Sequence, residues 1–110
     1  MRTNIIVKFD VEGLHKWPDA PPEYYFLIYP HKHFFHFEIH IPVGNSRQLE
    51  FIDVRARLLY EAEAFGGDFD NMSCEDLAAW MRGLVIAIYR VQPYRVAVFE
   101  DQFVGAEVLE

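Results

Sequence analysis

The sequence predicts an α+β fold: a four-stranded antiparallel sheet with two helices on one face, in the order strand, strand, helix, helix, strand, strand. Both ends of the chain alternate between apolar and polar residues, which is typical of strands with one buried face. The middle of the chain repeats its apolar residues at helical spacing instead. Strands and helices segregated in this way pack as two layers around one core.

The strands follow from four segments. "NIIVKFDVEG" alternates and is rich in β-branched residues, so it predicts the first strand. "WPDAPPE" predicts a loop, because proline lacks the N–H that a sheet requires. A longer second strand is predicted from "YYFLIY" to "EIHIPV", bent at Pro30 and closed by the turn residues "GNS". "YRVAVFE" and "FVGAEV" predict the last two strands, joined by a tight turn at "DQ".

Two helices are predicted between these strand pairs. "VRARLLYEAEAF" places its apolar residues near helical spacing, and "GGD" ends it, since glycine adopts the left-handed conformation of a helix end. Ser73 and Asp76 form a variant of the capping box and start the second helix. Trp80 and Met81 belong to its apolar stripe and are predicted as core residues.

Composition limits the classes of function. The 110 residues suffice for one domain, 1–110, and 52% of them are hydrophobic. The net charge is −7 and the cations form no stripe, so a nucleic-acid backbone is not an expected partner. The single cysteine, Cys74, favours a reducing compartment. Neither a signal peptide nor an apolar span is recognisable, so we expect a cytoplasmic protein without membrane contact.

Four of the five histidines lie within "HKHFFHFEIHI", residues 31–41. Side chains two apart on a strand share a face, so His31 and His33 point the same way. Zinc in a catalytic site takes three protein ligands, and His15, at the end of the first strand, can supply the third across a hairpin. His36 and His40 fall on the other face and are predicted to have no metal role.

An ordered set of five segments resembles the 6-pyruvoyl-tetrahydropterin synthase family, which includes the bacterial 6-carboxy-tetrahydropterin synthases of the queuosine pathway. The segments are "FDVEGLH", "HKHFFHFEIHI", "LEFIDVRARL", "MSCEDLAAWM" and "VAVFEDQFVGAEV". Together they span nearly the whole chain. The predicted elements also occur in the order that the family has.

The resemblance implies a fold, an assembly and a site. The family adopts the tunnelling fold, in which subunits join side by side into a closed β-barrel, so a homo-oligomer, a trimer or hexamer, is expected. The positions that match the family's zinc ligands are His15, His31 and His33. Glu100 matches the glutamate that binds the pterin ring. A carboxylate suits that ring because it can accept two parallel hydrogen bonds from a guanidine-like edge.

The residues that move protons in the family are missing. Leu27 stands at the position of the catalytic cysteine, and "YEAEAFGGDFDN" has no counterpart of the family's Asp-His pair. The acidic residues Asp19, Glu23, Asp68 and Asp70 remain as candidates for proton transfer. Glu23 is preferred among them, since some family members use a glutamate in place of the cysteine. Cys74 lies in a different segment and is predicted to be a buried structural residue.

Three functions therefore stay open. The first is a diverged, zinc-dependent pterin-synthase-like enzyme acting on the side chain of a pterin or a related ring. The second is a tunnelling-fold oligomer without catalytic activity. The third is a cupin-like metal protein, because His31, His33 and Glu38 resemble the first cupin metal motif. The two predicted helices do not suit a cupin β-barrel.

Overall fold

The computed structural model describes residues 1–110 and confirms the predicted α+β fold class. Six main elements follow one another in the predicted order. They are β1 (Thr3–His15), β2 (His31–Val43), α1 (Phe51–Glu63), α2 (Cys74–Tyr89), β3 (Arg95–Glu100) and β4 (Val104–Leu109).

The strands form one antiparallel sheet in the order β1-β2-β3-β4. Both helices lie on the same face: α1 packs against β1, and α2 packs against β3 and β4. Alternate residues of each strand point towards the helices and make one core of 18 buried residues. Phe35, Phe37 and Ile39 of β2 form its centre and have no exposed surface.

The helix-covered face of the sheet changes from apolar to polar at one end. Along β2 the same face carries His31 and His33 before it reaches Phe35. His15 is the register partner of His31 in β1, and Glu100 is the partner of Phe35 in β3. The alternation that builds the core therefore also brings three histidines and a glutamate together at its edge.

The predicted start of the second strand is wrong. Residues Pro22–Leu27 form a short 3₁₀ helix, and β2 begins only at His31. Two prolines at the start of this segment favour a helical turn, and its helical bonds are local: the Tyr24 N–H donates to the Pro21 carbonyl, and the Ile28 N–H donates to the Tyr25 carbonyl. The β-forming aromatic residues of this segment thus stay outside the sheet.

The helix ends follow their predicted signals. Ser73 caps α2, and both hydrogen bonds of the capping box between Ser73 and Asp76 are present. Gly66 and Gly67, beyond the end of α1, have φ angles of 70° and 81°, which glycine adopts without strain. Neither helix has the length and apolar character needed to cross a membrane.

The face of the sheet opposite the helices carries a network of charged groups around Glu38. One carboxylate oxygen of Glu38 lies 2.6 Å from Nη1 of Arg95 and 3.2 Å from Nε2 of His40. The other oxygen lies 3.5 Å from Nζ of Lys8. Burial alone would raise the pKa of Glu38, but the hydrogen bonds from His40 and Arg95 lower it to about 2.

Candidate metal centre

Three imidazole rings meet at the polar end of the helix-covered face. The ring centroids of His15 and His31 are 4.5 Å apart, those of His15 and His33 are 5.3 Å apart, and those of His31 and His33 are 5.1 Å apart. One potential ligand atom from each residue lies within 4.8 Å of the others. The structure thus assembles the three histidines that the sequence singled out.

Each ring is held through its Nδ1 atom by an acceptor from a different segment. Nδ1 of His15 donates to the Met72 carbonyl at 2.9 Å, and Nδ1 of His31 donates to the Tyr29 carbonyl at 3.0 Å. Nδ1 of His33 donates to a carboxylate oxygen of Asp101 at 2.7 Å. Since a carbonyl can only accept, the proton of a neutral ring stays on Nδ1 and leaves a lone pair on Nε2.

Two of the three free nitrogens are buried and lack hydrogen-bond partners. Nε2 of His15 and Nε2 of His33 are buried and form no hydrogen bond. Burial lowers the pKa of His15, although the bond to the Met72 carbonyl and the charge of Glu100 oppose this. The His15 ring is therefore kept in the neutral form that binds metals.

These observations fit a zinc ion. Zinc binds neutral imidazole nitrogen, and its histidine ligands usually donate their other ring N–H to a carbonyl or carboxylate. All three histidines meet both conditions, because Nδ1 of each ring donates to an oxygen: the carbonyls of Met72 and Tyr29 and the carboxylate of Asp101. Two buried nitrogens without hydrogen bonds cost stability unless something binds them. The cluster can hold a metal ion, and its donors suit zinc.

A cavity of about 570 Å³ opens beside the cluster. A volume of this size accommodates a small organic molecule. His15, His31 and Glu100 line it, and Trp17 and Leu27 supply apolar wall. The candidate metal site therefore borders a cavity that is large enough for a ring-sized ligand.

Cys74 also lines this cavity. It is buried, as predicted, and its Sγ lies 3.9 Å from Oε1 of Glu100. Burial and the neighbouring charge of Glu100 raise the pKa of Cys74 to about 12, so the thiol keeps its proton at neutral pH. A protonated thiol can donate a weak hydrogen bond to Glu100 but cannot act as a nucleophile or base.

A loop after α1 fixes the position of His15. The Phe69 N–H donates to the Leu14 carbonyl, and the Leu14 N–H donates to the Gly67 carbonyl, which covers the edge of β1 at its end. The Phe69 ring lies directly over Gly13, where an added Cβ would be 2.5 Å from Cε2 of that ring. This close approach requires glycine and brings the loop near enough for the Met72 carbonyl to reach His15.

The turn after β3 contributes more than the sequence indicated. Asp101 and Gln102 have positive φ angles, 53° and 66°, as the two central residues of a type I′ turn have. The carboxylate of Asp101 also accepts hydrogen bonds from His33 and from the Phe34 N–H, and these two bonds lower its pKa. The predicted turn former is thus also the residue that orients His33.

Two predicted residues lie away from the centre. Glu23 is exposed in the 3₁₀ helix and is not among the residues that line the cavity, so its catalytic role stays a prediction. Glu38 lies on the opposite face of the sheet from His31 and His33. A cupin-like site would need these three side chains around one ion, so the cupin interpretation is wrong on both geometry and fold class.

The chain shares its fold with a protein of known structure. The crystal structure of the uncharacterized protein WS1659 from Wolinella succinogenes matches it with a TM-score of 0.69, over 100% of this chain and 99% of that chain. The sequence identity is 13%, so the likeness shows the fold alone. No protein-family model and no curated protein match the sequence. The resemblance to pterin synthases therefore rests on the motifs of this chain.

Proposed function

We propose that the protein binds one zinc ion through His15, His31 and His33. The observation that supports this most strongly is the set of three Nδ1 hydrogen bonds, which leaves Nε2 of each ring free in a cluster whose ligand atoms lie within 4.8 Å of one another. Core histidines without a ligand role normally use both ring nitrogens or expose one to water. Here the buried nitrogens of His15 and His33 have neither.

We propose further that the cavity beside the zinc site takes a pterin or a related purine-derived ring. Its volume and its apolar wall at Trp17 and Leu27 suit a flat bicycle, and Glu100 offers the carboxylate that such a ring's guanidine-like edge requires. Zinc would supply a Lewis acid next to the side chain of the ring. A diverged pterin-synthase-like activity is the function that unites these features.

A second candidate function is ring and metal binding without turnover. Leu27 lines the cavity at the position of the family's catalytic cysteine and cannot transfer a proton. Burial and the charge of Glu100 raise the pKa of Cys74, the only thiol, to about 12, which disfavours the thiolate that a nucleophile requires. Incubation of the zinc-loaded protein with a dihydropterin triphosphate separates the two: an altered pterin supports the enzyme, whereas unchanged, bound pterin supports the binding protein.

We also propose a homo-oligomer, a trimer or hexamer, built by pairing of sheet edges. Strands β1 and β4 are the two edges of the sheet, and unpaired edges favour pairing with other strands. Exposed apolar side chains lie along them, including Ile6, Val104 and Leu109. Light scattering coupled to size exclusion should give three or six times the mass of one chain, and a monomer at micromolar concentration would contradict this proposal.

The zinc proposal is tested by metal analysis of the purified protein and of matched variants. The wild type should carry one zinc per chain, and His15→Ala and His33→Ala should carry almost none. His40→Ala is the control, because His40 and His33 have the same side-chain exposure, 19%, on opposite faces of the sheet. A wild type that takes up no zinc, or a His33→Ala variant that keeps it, would refute the proposed function.

A further inference from the structure

The carboxylate of Glu100 faces two of the three imidazoles. Oε1 of Glu100 lies 3.3 Å from Nε2 of His15, and Oε2 lies 3.5 Å from Nε2 of His33. Neither contact is a hydrogen bond, and a bond between a ring N–H and a carboxylate would be shorter, about 2.7–2.9 Å. The two groups are thus close neighbours without bonding to each other.

The proton positions make this contact unfavourable for the protein alone. Nδ1 of His15 and of His33 each donate to an oxygen, so Nε2 of a neutral ring presents a lone pair. Glu100 presents carboxylate lone pairs to the same nitrogens. Acceptors that face each other in a buried site repel, and a cation between them removes the repulsion.

The carboxylate of Glu100 is close enough to both imidazoles to share a metal ion with them. Zinc lies about 2.0–2.2 Å from nitrogen and oxygen ligands, and at the tetrahedral angle two such ligands are about 3.3–3.5 Å apart. Oε1 of Glu100 lies at such a separation from Nε2 of His15, and Oε2 lies at such a separation from Nε2 of His33, so one carboxylate oxygen faces each imidazole. Glu100 arrives from β3, at the register position beside Phe35, on the same face as the three histidines.

We propose that Glu100 is the fourth metal ligand, so that the ion is held by His15, His31, His33 and Glu100 while the cavity is empty. This inference rests on the proposed zinc site and deepens it. Glu100 then binds the metal ion when the cavity is empty. A ring that hydrogen-bonds to the Glu100 carboxylate would have to displace this carboxylate from the ion. Cys74, whose Sγ is 3.9 Å from Oε1, serves as a weak donor that steadies the carboxylate.

Cobalt(II) in place of zinc tests the assignment, because its visible spectrum reports the number and kind of ligands. Cobalt is loaded into three proteins: the wild type, Glu100→Gln and Glu75→Gln. Their zinc affinities are measured separately, by competition with a chromophoric chelator. Glu75 is the matched control, since it lines the same cavity and has no contact with the imidazoles. Glu100→Gln should lower zinc affinity at least about 100-fold, because losing only a hydrogen-bond partner of a ligand costs 10–100-fold.

A second measurement tests the inference in the wild type by itself, whether or not the variant folds, and the variant extends it. Thiocyanate binds an open coordination position and shifts the cobalt spectrum, so it should leave the wild-type spectrum unchanged and alter that of Glu100→Gln. A wild type that takes up thiocyanate, or a Glu100→Gln variant with wild-type affinity and spectrum, overturns the inference and leaves the three-histidine site intact. A wild type that binds neither metal overturns the proposed function itself.

Discussion

The close approach of Gly13 to Phe69 makes Gly13→Ala the sharpest test of how the fold positions the site. A Cβ at residue 13 would lie 2.5 Å from Cε2 and 2.7 Å from Cδ2 of the Phe69 ring. Carbon atoms in contact are normally about 3.5–4.0 Å apart, so the ring would have to retreat by about 1 Å or more. Phe69 is fully buried, and its centroid lies 5.0 Å from those of both Phe35 and Phe65, which block that retreat.

The expected cost follows from overpacking. Forcing an extra methyl into a filled core destabilises a protein by about 1–3 kcal/mol. For a domain of about this size, that lowers the melting temperature by about 4–8 °C per kcal/mol, or about 4–24 °C in total. Thermal unfolding followed by circular dichroism measures the shift. Gly83→Ala is the control: an added Cβ there has no atom within 4 Å, so the variant should gain up to about 1 kcal/mol.

A double-mutant cycle isolates the contact. Phe69→Leu removes the ring atoms that the new methyl would meet, so Gly13→Ala should cost clearly less in that background. The coupling between the two substitutions then measures the steric term. If Gly13→Ala is as stable as the wild type, or costs the same with leucine at position 69, the packing argument fails, and Gly13 has no steric role in bringing the loop to His15.

Two further predictions concern groups near the sheet. Because the pKa of Glu38 is lowered to about 2, its contribution to stability is present above about pH 4.5 and is lost as the pH falls towards 2. Urea unfolding at pH 7 should therefore show Glu38→Gln to be about 1–3 kcal/mol less stable than the wild type. This difference in stability should shrink as the pH falls below about 4.5. A difference that does not change with pH would contradict the prediction. Asp101→Asn keeps the turn but weakens the acceptor for Nδ1 of His33, so zinc affinity should fall about 10-fold or more. Competition with a chelator measures this affinity. An unchanged affinity, in a variant whose melting temperature is also unchanged, would refute the prediction.

The alternation of strands made most of the site predictable. His31 and His33 share a face with Phe35 because side chains alternate, and the hairpin brings His15 opposite His31. The same rule places His36 and His40, and with them Glu38, on the other face. These positions depend only on strand register, which a buried apolar face determines strongly.

The groups that orient the imidazoles were not predictable in the same way. Two of them are backbone carbonyls, of Tyr29 and Met72, and a carbonyl leaves no mark in the residue type. Asp101 was visible only as a turn former, although an aspartate in a turn next to a strand with His-x-His is a signal that could have suggested it. The segment Pro22–Leu27 was mispredicted because its aromatic residues favour strands, while its prolines and local hydrogen bonds favour a helical turn.

The centre depends on the closed fold, because its parts come from separate segments. His15 ends β1, His31 and His33 begin β2, and Glu100 ends β3. Their acceptors come from the loops before β2 and α2 and from the turn after β3. In an unfolded chain these groups are far apart, so an ion that binds all of them binds the folded state almost exclusively. The repulsion between Glu100 and the two buried nitrogens then lowers the stability of the metal-free folded state, and a bound cation removes this repulsion.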